Sequence, residues 1–97
     1  MAEIIWMPQA IEDLEYITNY IGKDSSEYAS LLMKKIFTSV ETLKKFPKMG
    51  RVVPEFDKET LSELIIRNYR IIYQIKDNSV EFLTVFHGSY IGGLDKI

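Results

Sequence analysis

The clearest hydrophobic pattern lies in the second half of the chain. From Leu61 to Ile75 it reads LSELIIRNYRIIYQI, and from Val80 to His87 it reads VEFLTVFH. β-Branched and aromatic residues dominate both stretches, and the runs are broken only at Asn68 and at Lys76-Asp77-Asn78-Ser79. They are therefore expected to pair as three consecutive antiparallel strands of one meander. In the middle run Tyr69, Ile71, Tyr73 and Ile75 alternate onto one face while Ile72 is apolar on the other, which marks a central strand. The same alternation puts Ile65, Ile72, Leu83 and Val85 opposite Tyr69, Ile71 and Tyr73. Helices on one face would leave that second apolar surface to be covered by something else.

The first half reads as cover for the sheet. Glu3 to Trp6 is a short apolar run stopped by Pro8, consistent with a first strand at the edge or centre of the later sheet. Pro8 suits the first turn of a helix, and Ala10, Leu14, Ile17 and Ile21 follow at helical spacing, giving a helix from Pro8 to Ile21. Gly22 suits its end, and Asp24 with Glu27 three residues later has the spacing of a capping box for a second helix. There Ala29, Leu32, Ile36, Val40 and Leu43 form one stripe, widened by Met33 and Phe37. Pro47 disfavours helical geometry before it, so this helix ends at Phe46. Lys48 to Lys58, with Pro47, Gly50 and Pro54 in or beside it, reads as an ordered loop. The tail after His87, GSYIGGLDKI, is glycine-rich and is expected to be mobile until a partner orders it. The order is strand, two-helix hairpin, loop, then three antiparallel strands. That is an α+β domain, expected to occupy residues 1–97 as one unit.

Composition narrows the chemistry. The 97 residues contain no cysteine and one histidine, so neither a disulfide nor a thiolate or multi-histidine metal site is expected, and no cofactor is implied. The N-terminus MAEIIWMPQ has no basic flank and long apolar run, and no stretch is long enough to span a membrane, so a cytoplasmic protein is expected. A net charge of -2 argues against binding nucleic acid by bulk charge alone. The charge is uneven, however: Lys44, Lys45, Lys48 and Arg51 cluster with no acid between them, whereas Glu12, Asp13, Glu15, Asp24 and Glu27 crowd the early chain.

Four strings taken together resemble one known family. The helix carrying Ala10, Asp13, Leu14, Ile17, Tyr20 and Ile21 is followed by FPKMGRVVPE, NYRIIYQI and VFHGS, in the order and spacing of the RelE/ParE superfamily of type II toxin-antitoxin toxins. The match runs over about residues 4 to 89. It implies a toxin held inactive by a cognate antitoxin in a hetero-oligomer. RelE-like members cleave messenger RNA on the ribosome, whereas ParE-like members bind and poison DNA gyrase, and the shared fold does not choose between them.

Under the nuclease reading the resemblance assigns Arg70 to transition-state stabilisation, Glu55 to the general base and His87 to the general acid. Each has a structural alternative: Arg70 paired with Glu63 or Glu81 across the sheet or contacting the antitoxin, Glu55 a solvated loop acid, and His87 a hydrogen-bonded residue at a strand end. Lys48, Arg51, Arg67 and Tyr90 are the candidate binding residues. Arg51 belongs to the family string, where hydrogen bonds to carbonyls would fix the loop. Tyr90 stands where many relatives have an arginine, and the lysines at the end of the second helix also suit its dipole. The two long helices, the FPKMGRVVPE string, the pI near 5.4 and the shortage of catalytic lysines and arginines favour the ParE-like branch. The alternatives are the ribosome-dependent nuclease and an inactive module that keeps only antitoxin binding.

Overall fold

A computed structural model describes residues 1–53 and 61–88. Glu55, Tyr90 and the rest of the glycine-rich tail lie outside the described residues. Within them the elements are β1 (Glu3–Trp6), α1 (Pro8–Gly22), α2 (Ser26–Lys45), β2 (Arg51–Val52), β3 (Leu61–Ile66), β4 (Tyr69–Lys76) and β5 (Ser79–His87). The five strands form one mixed sheet in the order β1-β5-β4-β3-β2.

The meander is antiparallel as its pattern predicts, with β4 in the centre. Each hairpin turns through two residues, Arg67-Asn68 and Asp77-Asn78, and the first of each pair has positive φ, 55° at Arg67 and 54° at Asp77. Aspartate tolerates that left-handed conformation, whereas arginine adopts it less readily. β1 joins at the edge and runs parallel to β5, with Trp6 opposite Phe82 and the two rings stacked 4.4 Å apart. A parallel neighbour requires a crossover, and α1, α2 and the two later hairpins supply the intervening chain.

Pro8 opens α1 at a position where its missing N–H costs nothing, and the Ala10 and Ile11 amides turn back onto the Met7 carbonyl. Ala10, Leu14 and Ile17 bury the helix's apolar stripe. Gly22 ends it without using glycine's conformational freedom, because no glycine among the described residues has positive φ. The cap of α2 is Ser25, not the expected Asp24: the Ser25 hydroxyl accepts the Tyr28 amide at 3.1 Å. Asp24 is still in the connecting turn, where its own amide bonds to the Ile21 carbonyl. Glu27 then lies in the first turn of α2, where the helix dipole favours an anion. Ala29, Leu32, Ile36, Val40 and Leu43 form the buried stripe, and the Ala2 amide bonds to the Lys44 carbonyl, tying the end of α2 to the chain just before β1.

Two expectations about the sheet need correction. The stretch after Pro47 is not wholly irregular, because Arg51 and Val52 pair with Glu63 and Ser62 as β2. The second apolar face is also smaller than strict alternation predicts. A β-bulge interrupts the β4–β5 register, so Ile72 lies opposite Thr84 while Tyr73 lies opposite Phe82, and Leu83 has no opposite number. One extra residue flips the alternation, which brings Val85 into the core with Ile71, Tyr73 and Phe82. Ile72 is itself buried, leaving Ile65 of that set exposed, at 55%.

Candidate functional site

The bulge creates the first feature of the site. The Val85 amide and the Thr84 hydroxyl at the bulge both donate to Oδ2 of Asp13, at 2.9 and 2.6 Å, and Gln9 donates to Oδ1 at 2.8 Å. A carboxylate on α1 thus satisfies a backbone donor that the irregular ladder leaves over, and it fixes α1 against the end of β5.

The second feature is the seating of the segment after α2. The Gly50 amide donates to the Tyr73 hydroxyl, which donates in turn to the Pro47 carbonyl, both at 3.0 Å. A Cβ at Gly50 would press against that hydroxyl and lie 2.6 Å from the Glu63 carbonyl oxygen, so only glycine fits. Burial pushes the Tyr73 hydroxyl above its ordinary pKa, partly offset by the bonds to Gly50 and Ser62. Tyr73 thus seats the turn between Pro47 and Gly50. Arg51 points Nε at Oε2 of Glu63, at 2.7 Å.

Glu63 takes a second arginine on its other oxygen. Arg70 Nε and Nη2 reach Oε1 at 2.6 and 2.5 Å. The Glu63 side chain is fully buried and Arg70 is 2% exposed, while the Arg51 side chain remains largely exposed. The Arg70 guanidinium also lies 5.4 Å from the centre of the Phe86 ring. Of the two carboxylates expected as partners for Arg70, Glu63 is bonded to it and Glu81 accepts from Gln74 at 2.5 Å. Two guanidinium groups thus converge on one buried carboxylate.

Arg51, Arg67, Arg70 and His87, with Ile65, Asn68 and Gly88, line a cleft of about 420 Å³ at the end of the sheet. The Gly88 amide on the Asn68 carbonyl closes it, at 2.5 Å. Arg67 reaches it from its left-handed turn and holds its guanidinium carbon 5.4 Å from the Tyr28 ring centre. Strained positions of this kind concentrate at functional sites. His87 lies edge-on to Tyr69 at 5.4 Å and also lines a second cleft of about 640 Å³, shared with Asp13, Tyr16, Ile17, Tyr20, Tyr69, Val85 and Phe86. Burial and the neighbouring Tyr28 and Tyr20 hydroxyls raise the pKa of Tyr69, so it is a neutral phenol at neutral pH.

The structure thus brings Arg70, His87, Arg51 and Arg67 together and leaves Lys48 exposed outside both clefts. In the basic cluster at the end of α2, Lys44 pairs with Glu41 and Arg51 with Glu63. Among the described residues no group of His, Asp or Glu could hold a metal ion, and no helix is long and apolar enough to cross a membrane. The tyrosine cleft was not anticipated. Its signal was the pair Tyr16 and Tyr20, one helical turn apart and off the buried stripe of Ala10, Leu14 and Ile17.

A helical hairpin packed on a mixed five-stranded sheet, with an arginine-lined cleft at the sheet's end, defines a small α+β fold whose relatives are identifiable. A family profile described as the ParE toxin of the type II toxin-antitoxin system, parDE, matches residues 4–91. The chain belongs to this family. It is 30% identical over 90 residues to Toxin RelE2 of Caulobacter vibrioides, covering 92% of this chain and 98% of that toxin. Among solved structures, a chromosomal ParDE toxin-antitoxin system from P. aeruginosa superposes with a TM-score of 0.71 at 19% identity, covering 90% of this chain and 96% of that one. The RelB-RelE antitoxin-toxin complex from Methanococcus jannaschii gives 0.55 at 15% identity, covering 92% and 95%. These two likenesses establish the α+β fold.

Proposed function

We propose that this toxin is a ParE-like inhibitor of DNA gyrase, acting in the cytoplasm and neutralised by a cognate antitoxin. The observation that carries the reading is the state of Arg70. The nuclease reading needs this guanidinium to meet a scissile phosphate as charge develops there. Arg70 is instead buried and directs two nitrogens at one oxygen of Glu63, so its role is to build the sheet. The profile match to the ParE toxin supports the same branch.

An antitoxin accounts for the apolar surface left on the hairpin. Ile11 and Phe37 are exposed and, with Trp6, Leu14 and Met33, line a groove of about 470 Å³ between the helices. A single chain rarely leaves such a surface without a partner, and the two structural relatives are both toxin-antitoxin assemblies.

A second reading, ribosome-dependent cleavage of messenger RNA, draws on one observation. Arg67 and His87 share a basic cleft, where a cation and a proton donor would sit beside a bound phosphate. The two readings separate with purified components. Incubated with gyrase, ATP and relaxed plasmid, the toxin is expected to block supercoiling. Unimpaired supercoiling, together with cleavage of messenger RNA on programmed ribosomes, would overturn the gyrase reading.

A further inference from the structure

We infer that the cleft between α1 and the ends of β4 and β5 is a receptor for a cationic side chain, an arginine above all, carried by a protein partner. Tyr16 and Tyr20 form one wall. Their rings lie 6.3 Å apart with planes within 13° of parallel, and they are 71% and 62% exposed. Tyr69 and His87 line the same cleft and brace each other edge to face. Ile17, Val85 and Phe86 complete the lining.

Several aromatic rings line this one cavity, and a cation is attracted by the negative potential over an aromatic face. The charges agree with that ligand. Glu12, Asp13 and Glu15 are the charged residues of α1, all acidic, and the Asp13 carboxylate lines the cleft, held in place by Gln9, Thr84 and Val85. The Asp13 carboxylate disfavours the phosphate of a nucleotide there, even though tyrosine faces can also stack on bases. The chain supplies its own precedent next door, where the Arg67 guanidinium sits over Tyr28, a ring that does not line this cleft. A volume of about 640 Å³ admits a whole arginine side chain with flanking backbone. Arginine is preferred to lysine because its planar group stacks on an aromatic face while donating to a carboxylate.

The test is a titration of the full chain, followed by NMR of the tyrosine rings, with N-acetyl-Gly-Arg-Gly-amide. The comparison peptides carry citrulline or leucine in place of arginine. The arginine peptide is expected to give saturable shifts at Tyr16, Tyr20 and Tyr69 and to bind about fivefold more tightly than the citrulline peptide. Tyr20→Leu, which keeps apolar bulk at an exposed position, is expected to weaken it roughly two- to fivefold while leaving the thermal midpoint unchanged. Equal binding of the citrulline or leucine peptide, shifts centred outside the cleft, displacement by AMP, or no saturable shift at millimolar peptide would each overturn the assignment. Neither antitoxin nor gyrase enters the titration, so its failure would leave the proposed function standing.

Discussion

Replacing Arg70 by alanine tests whether this residue holds the sheet together or does chemistry. In the native protein Oε1 of the buried Glu63 receives both donors from Arg70, and Oε2 receives Nε of Arg51. Arg70→Ala leaves a carboxylate with no solvent access facing one partner instead of two. Removing one member of a buried ion pair costs about 3 to 5 kcal/mol, and the remaining bond to Arg51 places this case near the lower figure. With an m-value of about 1 to 1.5 kcal/mol/M in urea for a chain this size, the unfolding midpoint should fall by roughly 2 to 3 M. The double variant Glu63→Leu/Arg70→Met removes both charges and fills the space with apolar atoms. It should lie within about 1 kcal/mol of the parent, because no buried carboxylate is left without its partner. Arg51 loses its partner at little cost, since its side chain is largely exposed. Urea unfolding followed by circular dichroism gives the stabilities, and growth after induction gives the toxicity. The double variant should fold and still arrest growth. An Arg70→Ala loss below about 1 kcal/mol, or a stable double variant without toxicity, would refute the structural assignment.

The remaining predictions concern the contacts around the clefts, and each is read by chemical or thermal unfolding. Gly50→Ala should cost about 1 to 3 kcal/mol, because the new methyl displaces the Tyr73 hydroxyl or the Glu63 carbonyl. Gly22→Ala should stabilise by about 0.4 to 1 kcal/mol, since Gly22 is helical and an added Cβ meets nothing within 4 Å. Asp13→Ala should cost about 1 to 3 kcal/mol by stranding the Val85 amide and the Thr84 hydroxyl, and Asp13→Asn, which keeps an acceptor oxygen, should recover most of it. Tyr69 and Tyr73 both titrate above the ordinary 10.0, so the folded state holds their protons more tightly than the unfolded state. Their contribution is complete below pH 10 and is lost as pH rises through the raised folded values, so the thermal midpoint should fall in that alkaline range. Tyr73→Phe should start lower and decline less steeply.

The parts of the fold visible in the chain were those set by long periodic runs. The two helical stripes and the three strands of the meander extend over enough residues for the period to be plain, and they specified which strand is central. Other features depend on single residues or on tertiary pairing. The bulge at Leu83 leaves no mark on composition, yet it moves Val85 from the expected back face into the core. β2 is a two-residue strand, too short to show alternation, and exists because Tyr73 seats Gly50 beside Glu63. The cap at Ser25 was obscured by an equally plausible Asp24 one residue earlier. In the site, the opposite charges of Glu63 and Arg70 suggested their pairing, since a hairpin brings residues around Asn68 together. The second arginine on Glu63 was not legible, because Arg51 reaches it only through a strand pairing that its sequence does not announce.

Growth arrest through gyrase, as proposed above, is tested most directly in a bacterium induced to produce this chain alone. Incorporation of labelled thymidine and of labelled amino acids is followed side by side over the first minutes. DNA synthesis is expected to fail first while translation continues. Translation stopping first, with DNA synthesis intact, would contradict the gyrase reading and would move Arg67 and His87 to the centre of a nuclease site.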